Sequence, residues 1–288
     1  MAAQSLSGPD GLSDREREAV RELLFRLADD ELVIGERYTE WQVRAPTLES
    51  DLALSNIAQD EFGHARLWYD LLEDFDATES DLIWERDAAD FRHSTLAELP
   101  FAEGDWADPV VRSYLYDAAE RLRLEALRES SYPRIVDRVG KVLREEEYHL
   151  EHAEKWVQRL AADDDGRERV QAAVERLFPY ALTLFQPGEF EDDIVDLGVR
   201  TETLGDLREA WLDEVVPFLE SVGVAVDDAQ LPEQYDVHHL PDAELPDHVG
   251  RDGSHTDDWF DLHEEMTSTY RELGRTDTAH IMVDPDDV

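Results

Sequence analysis

The chain contains no cysteine, which excludes disulfide bonds, thiolate metal sites and cysteine nucleophiles. Lysine is almost absent as well, because it occurs only at Lys141 and Lys155 and arginine supplies the remaining basic residues. No segment approaches the roughly 18 consecutive apolar residues of a membrane-spanning helix. Residues 1–13 also lack the pattern of a signal peptide. We therefore expect a cytoplasmic protein that does not enter a membrane.

Basic charge is scarce relative to acidic charge. The sequence has 71 acidic and 27 basic residues, for a formal net charge of −44. Binding to nucleic acid phosphates requires clustered Lys and Arg, so the composition excludes a nucleic acid partner. The acids are spread over the whole length. Their mutual repulsion is screened at molar salt, where the Debye length is about 3 Å, and this composition indicates adaptation to a saline cytosol.

Long helical patterns dominate the sequence, and they predict an all-α fold. Four of them cover residues 13–43, 47–75, 108–130 and 134–162, with breaks at Pro46 and Pro133. Further helices are predicted before residue 225 and from Asp257 to Leu273. We expect a disordered tail at 1–12, a helical bundle at 13–225, and a loop-and-helix extension at 226–288 packed on the bundle.

Polar residues interrupt the apolar stripe of each long helix near its middle. The stripe of the first helix contains Glu31, and that of the second contains Glu61 and His64. The third and fourth helices repeat the pattern, at Asp117, Glu120, Glu146 and His149. A carboxylate within an otherwise apolar stripe is the informative observation, because burying an unpaired charge costs several kcal/mol.

The spacing of these residues predicts that they meet. Glu31 and Glu61 are equally far from Pro46, and Glu120 and Glu146 are equally far from Pro133. Residues equally far from the turn of an antiparallel helix pair lie opposite each other. Asp117 lies one turn further along the same helical face as Glu120, so the third-helix acid stays open between the two.

Each half of the predicted bundle also carries a Glu-x-x-His motif. Its carboxylate and imidazole project from one helical face and can bind the same ion. One copy is a weak signal, but two copies with further acids form the ligand set of a di-iron site in a helical bundle. We therefore predict two iron ions, bound by ligands from the set Glu31, Glu61, His64, Asp117, Glu120, Glu146 and His149.

The remaining acids and histidines near the motifs have simpler interpretations. We expect Glu145, Glu147 and Glu151 to lie on a solvated face, and His93 and His152 to be surface or supporting residues. The roles of His255 and His263 stay open.

Beyond these motifs, many short stretches of the chain resemble one known family. The chain is similar to the C subunit of phenylacetyl-CoA epoxidase (phenylacetyl-CoA oxygenase) of aerobic phenylacetate degradation. The similarity is carried by Leu27-Ala28-Asp29-Asp30, Gly35-Glu36-Arg37, Glu40-Trp41, Ala45-Pro46, Leu52-Ala53-Leu54-Ser55-Asn56-Ile57, Gly63-His64-Ala65-Arg66, Glu145 through Tyr148-His149-Leu150, Trp156 and Gly253-Ser254-His255-Thr256.

This resemblance implies a ferritin-like fold and membership of a multisubunit oxygenase that epoxidises the aromatic ring of phenylacetyl-CoA. It implies three partners: a related A subunit that carries the di-iron site and binds the CoA thioester, a small B subunit, and a reductase. C subunits of the family often lack the first-helix acid and the second-helix motif, whereas Glu31, Glu61 and His64 are all present here. The resemblance also implies an aspartate at the position of Asp117.

Three functions are compatible with these features. The chain is the iron-bearing oxygenase component, or a non-catalytic structural partner with a vestigial site, or a stand-alone ferritin-like di-iron oxidase. The length and the extension disfavour the third. A flank with Trp68, Tyr69, Trp84 and Trp106 is a candidate interface with a second ferritin-like chain, although core packing is the simpler interpretation of each of these residues. Arg66 or Arg123 are candidates for the CoA phosphates.

Overall fold

The computed structural model describes residues 5–101, 105–226, 245–272 and 274. All regular segments within these ranges are helices, which confirms the predicted all-α, ferritin-like bundle. None of the described helices is long and apolar enough to cross a membrane. The predicted boundaries at residues 12 and 226 stay predictions, and residues 227–244 and 275–288 of the predicted extension lie outside the described residues.

The first helical hairpin consists of α1 (Asp14–Gln42) and α2 (Leu48–Glu73). Ser13 caps α1 by a capping box with Glu16, and Thr47 caps α2. Gly35 allows the two helices to approach closely beside Glu61, because a Cβ atom at this position would lie 3.3 Å from the Glu61 Cβ. The glycine thus helps to set the depth at which the predicted ligands meet.

The connector between the hairpins contains a π-helical turn at Ser80–Trp84, a 3₁₀ turn at Ala88–Asp90 and the short helix α3 (Thr95–Glu98). The second hairpin consists of α4 (Ala107–Glu125) and α5 (Pro133–Leu160). Helix α4 begins at Ala107, one residue before the predicted start at residue 108. The carboxylate of Asp105 accepts a hydrogen bond of 2.7 Å from the Ala107 N–H, which moves the start of the helix toward the N-terminus.

Four further helices follow, and they cover one side of the bundle: α6 (Asp164–Ala181), α7 (Glu191–Asp196), α8 (Leu204–Ser221) and α9 (Asp257–Glu272). Helices α6 and α8 pack on α4, while α9 contacts α3 and the connector. Helices α2 and α5 contact each other directly. The four long helices α1, α2, α4 and α5 therefore form the bundle whose centre holds the predicted ligands.

Candidate metal centre

A compact group of buried ligand atoms lies in the middle of the bundle. It comprises Glu31, Glu61, His64 and Glu146, each of which has a ligand atom within 4.8 Å of those of the others. The Nδ1 atom of His64 lies 3.2 Å from Glu146 Oε1, 3.6 Å from Glu31 Oε2 and 3.8 Å from Glu61 Oε2. All four side chains are fully buried.

His149 extends this group on the other side. Its Nδ1 atom lies 3.3 Å from Glu146 Oε1 and 3.7 Å from Glu61 Oε1, and the two imidazole rings are 6.1 Å apart. Glu61 and Glu146 therefore both lie between the two histidines. Such shared carboxylates are the arrangement that a pair of ions requires.

These inward-facing atoms have no hydrogen-bond partners. Both carboxylate oxygens of Glu31, Glu61 and Glu146 are unpartnered, and so is the Nδ1 of each histidine. Ligand atoms about 2.1 Å from a common cation lie roughly 3.0–3.4 Å from one another, similar to several of the distances here. Since unpaired buried charges cost several kcal/mol each, the residues present fit a bound metal.

An acid from the opposite hairpin orients each histidine. Glu145 Oε2 accepts a hydrogen bond of 2.9 Å from His64 Nε2, and Asp60 Oδ2 accepts one of 3.3 Å from His149 Nε2. Glu145, predicted to lie on a solvated face, is partly exposed at 34%, and the prediction missed that it also binds His64. A proton fixed on Nε2 leaves the Nδ1 lone pair directed at the site, as in carboxylate–histidine–metal triads.

The two candidate acids of α4 differ in their surroundings. Both oxygens of Asp117 are buried without a hydrogen-bond partner. In contrast, Glu120 Oε2 accepts a hydrogen bond of 2.6 Å from Arg123 Nε and also contacts the Arg123 Nη2. One oxygen of Glu120 is thus already occupied by Arg123, which favours Asp117 as the ligand from α4.

Arg123 belongs to a buried ion-pair network behind the centre. Its Nη1 donates to Asp30 Oδ2 at 2.6 Å, and Arg251 Nη2 donates to the same oxygen at 2.7 Å. Because Arg123 is 6% exposed and bound on three nitrogens, it does not fit the predicted contact with CoA phosphates.

The acids of the centre favour their neutral forms when no cation is present. Burial and the charge of Glu61 raise the pKa of Glu31 well above its usual range. Burial and the charge of Glu146 do the same to the pKa of Asp117. Burial outweighs the neighbouring Arg123 and raises the pKa of Glu120 to about 8. A cation in the site would remove this penalty on the ionised carboxylates.

The histidines and Glu146 form the charged part of the centre. Burial alone would lower the pKa of His64, but Glu145 and Glu146 outweigh it and raise that pKa well above its usual range. His149 behaves in the same way through Glu146 and Asp60. Burial likewise opposes ionisation of Glu146, yet the two histidines lower its pKa to about 2.

A second buried cluster contains His93, Glu98 and His255. Glu98 Oε2 is 2.7 Å from both His93 Nε2 and His255 Nδ1, and Glu98 Oε1 accepts a hydrogen bond of 2.7 Å from the Thr256 N–H. These are hydrogen-bond distances, shorter than the spacings between ligands around a metal ion. His93 was predicted to be a surface or a supporting residue. The surface position is wrong, because the side chain is fully buried.

The four side chains of the candidate interface pack in or against the core, as their simpler interpretation predicted. Trp68 and Tyr69 are buried in the core, and Trp84 and Trp106 are only partly exposed. As predicted, Glu147 and Glu151 are exposed, and His152 is partly exposed. The sequence reasoning missed Asp60, although an acid directly before the Glu of each Glu-x-x-His motif was a visible signal.

A four-helix bundle with two Glu-x-x-His motifs and additional buried acids defines the class of ferritin-like carboxylate proteins. The comparison with known families is specific: the model described as phenylacetic acid catabolic protein matches residues 3–276, and the chain belongs to that family. The chain is 32% identical over 194 residues to the C subunit of 1,2-phenylacetyl-CoA epoxidase from Escherichia coli (strain K12), covering 66% of this chain and 77% of that protein. It is 26% identical over 227 residues to the A subunit of the same epoxidase from that organism, covering 77% and 73%.

Proposed function

We propose that this chain is an iron-bearing subunit of a multisubunit oxygenase that epoxidises the aromatic ring of phenylacetyl-CoA. The names of both relatives support the substrate and the reaction. The proposed partners are a related A-type subunit, a small B-type subunit and a reductase that supplies electrons. Bound iron would supply the activation of O₂.

The observation that carries this proposal is the set of unpartnered, buried ligand atoms at the bundle centre. We assign Glu31, Glu61 and His64 to one ion, and Asp117, Glu146 and His149 to the other. Asp60 and Glu145 hold the two imidazoles in the tautomer that a metal ligand needs. The surrounding apolar core keeps bulk water away from the site.

A structural partner without iron is the second candidate, and a specific observation favours it. The raised pKa values of Glu31 and Asp117 mean that these carboxyl groups can be buried in the neutral form. The chain is also more similar to the C subunit of the epoxidase than to its A subunit, at 32% against 26% identity. Because the family resemblance implies that the A subunit carries the di-iron site, this difference favours the structural candidate. Metal content separates the two candidates.

The decisive experiment is to express the chain alone in high salt and measure its iron by elemental analysis. We expect about two irons per chain, a loss of iron in Glu61→Ala, and no loss in the exposed control Glu147→Ala. In the complex reconstituted with the A-type, B-type and reductase components, His149→Ala should abolish epoxidation. A metal-free wild type, with unchanged turnover in Glu61→Ala and His149→Ala complexes, would assign the chain a structural role.

A further inference from the structure

A small interior cavity lies behind the metal centre, where two bundle helices meet two of the segments that cover them. Its volume is about 20 Å³, enough to hold one particle of about the size of a water molecule. Ten side chains line the cavity, and four of them are arginines: Arg26, Arg123, Arg200 and Arg251. Each of the four is at most 6% exposed. Because guanidinium groups stay protonated in proteins, the cavity is surrounded by positive charge in a chain of net charge −44.

The four arginines come from distant parts of the chain. Arg26 belongs to α1 and Arg123 to α4. Arg200 lies between α7 and α8, and Arg251 lies before α9. Like charges repel strongly in a low dielectric, so these side chains need negative charge between them in order to converge. Acids supply part of that charge, but they are unevenly distributed.

Arg200 has no acid of its own. Glu191 pairs with Arg200 through one oxygen and accepts a hydrogen bond of 2.7 Å from Arg26 Nη1 through the other. Arg26 pairs with Glu22 as well. Among the described residues, no hydrogen-bond partner is found for Arg200 Nη1. Burial lowers the pKa of Arg200, and the charges of Arg26 and Arg123 lower it further. Glu191 opposes this shift without cancelling it, so the surroundings of Arg200 still lack negative charge.

Arg251 is in the same position on the other side of the cavity's sequence of ion pairs. It shares Asp30 Oδ2 with Arg123, and its Nη1 donates to the carbonyl oxygen of Arg92 at 2.7 Å. Its Nε atom has no hydrogen-bond partner within the described part of the chain. Burial lowers the pKa of Arg251, and the charges of Arg123 and Arg26 add to the shift despite Asp30. Two guanidinium groups at one cavity therefore each keep an unused donor atom.

The rest of the lining supplies no negative charge. It consists of Gln186 and five leucines, and none of the ten lining residues is acidic. The Oε1 atom of Gln186 is buried and accepts no hydrogen bond. A half-turn of this amide exchanges its oxygen for its NH₂ group, so Gln186 can direct further N–H donors at the cavity. The lining side chains then offer donors and aliphatic carbon, which is an environment for an acceptor that carries negative charge.

We propose that this cavity binds one chloride ion. Its ligands are N–H groups of Arg200 and Arg251, with Gln186 as a third donor, and the leucines enclose the remaining surface. A monatomic anion fits the volume, whereas a tetrahedral oxyanion does not. A water molecule also fits, but it carries no charge to offset the buried guanidinium groups. The ion thus ties the covering segments that carry Arg200 and Arg251 to α1 and α4, and it requires neither iron nor the proposed reaction.

The test uses the metal-free, full-length chain and measures its thermal midpoint in sodium chloride and in sodium gluconate at equal ionic strength. Gluconate is too large for the cavity, so only chloride should stabilise the fold through this site. We expect the midpoint to rise with chloride and to saturate, with a gain of about 5 °C at about 100 times the dissociation constant. Bromide should replace chloride, and anomalous diffraction from crystals grown in bromide should place one ion beside Arg200 and Arg251.

Two variants test whether the effect belongs to the cavity. Gln186→Glu places a carboxylate where the ion binds, so its midpoint should no longer depend on chloride. Arg200→Gln removes a charged ligand and should weaken the chloride affinity at least about tenfold. Gln158→Glu adds the same charge as Gln186→Glu at an exposed position of α5. It is the matched control and should keep the full dependence on chloride.

Circular dichroism shows whether each variant is folded. Equal midpoints of the wild type in the two salts, with no bromide in the cavity, would overturn the proposal and assign the cavity to a water molecule. Wild-type dependence on chloride in both Gln186→Glu and Arg200→Gln would also overturn it, because the effect would then arise elsewhere. If Gln186→Glu fails to fold, Arg200→Gln and the position of bromide still decide between the ion and water.

Discussion

At the scale of single residues, each hairpin supplies the acid that orients the histidine of the other hairpin in the metal centre. Asp60 precedes Glu61 in α2 but binds His149 of α5, and Glu145 precedes Glu146 in α5 but binds His64 of α2. Each Glu-x-x-His motif therefore needs the acid of the other to orient its imidazole. The site can form only after α2 and α5 have packed together.

Neutralising Asp60 or Glu145, the outer acids of the centre, should weaken metal binding without removing a ligand. We expect Asp60→Asn and Glu145→Gln each to lower iron affinity about 10- to 100-fold, because the imidazole loses both its orientation and part of its basicity. Competition with a chelator measures the affinity. Glu147→Gln, one position after a ligand, is the control and should match the wild type. Equal affinities in all four proteins would show that the outer acids do not support the metal.

The seven candidate ligands could be predicted from the sequence, because the helical period places them in apolar stripes and not on the solvated faces of the helices. Glu31, Glu61, His64, Asp117, Glu120, Glu146 and His149 are all buried, as their positions in apolar stripes require. The helical period did not decide between Asp117 and Glu120, although the family resemblance implied the aspartate. The choice depends on where the guanidinium of Arg123 lies, and this is fixed by Asp30 on another helix.

At the scale of elements, Glu98 joins two segments that are distant in sequence. It follows His93 in the connector and accepts hydrogen bonds from His255 and Thr256 in the extension. Gly250 makes the approach possible, because a Cβ atom there would lie 2.0 Å from the His93 carbonyl oxygen, and its φ of +80° suits glycine. The Glu98 carboxylate is thus the junction between the connector and the extension.

Replacing this carboxylate should loosen the extension. Glu98→Gln leaves an amide nitrogen facing buried donors, so we expect a loss of about 3 kcal/mol of stability, the upper end of the usual cost of a buried polar group without a hydrogen-bond partner. Urea denaturation measures the stability, and limited proteolysis measures release of the extension. The exposed Glu264→Gln on α9 serves as the control. The junction would lose its assigned role if both variants unfolded and were cleaved like the wild type.

The long helices were predictable, whereas the connector was not. The capped starts of α1 and α2 lie where Ser13 and Thr47 placed them, and α5 begins at Pro133, one residue before the predicted start. The π turn at Ser80–Trp84 and the buried His93 depend on contacts with the extension, such as the Ser80–Tyr270 hydroxyl pair at 2.9 Å. Local sequence carries no signal for contacts of that range.

At the scale of the whole molecule, the distribution of charge links metal content to stability. Exposed acids are screened from one another by salt, but the acids of the metal centre are buried, so their electrostatic repulsion is strong. Without a cation, the centre is most stable when protons occupy it. The protonation of these buried groups should therefore determine how the stability of the whole chain depends on pH.

The sign of the pH dependence follows from the direction of each pKa shift. Glu31 and Asp117 have raised pKa values, so their folded form loses stability as the pH rises above the usual carboxyl range. Glu120 adds to this loss up to its pKa of about 8. The raised pKa values of His64 and His149 give stability that is complete below pH 6.5 and lost as the pH rises through those values. Glu146 has a pKa of about 2, so its contribution to stability is lost only as the pH falls toward that value.

We therefore expect the thermal midpoint of the metal-free chain to fall between pH 6 and pH 9 in calorimetry at molar salt, where surface repulsion is screened. The iron-loaded chain should show a flatter profile, because metal ligands stay deprotonated in the folded state and binding releases the protons. The metal-free variant Glu31→Gln, Asp117→Asn should also be flatter, since two of the titrating acids are gone. Parallel profiles for the metal-free wild type, the loaded wild type and the variant would mean that these buried groups do not control the stability of the bundle.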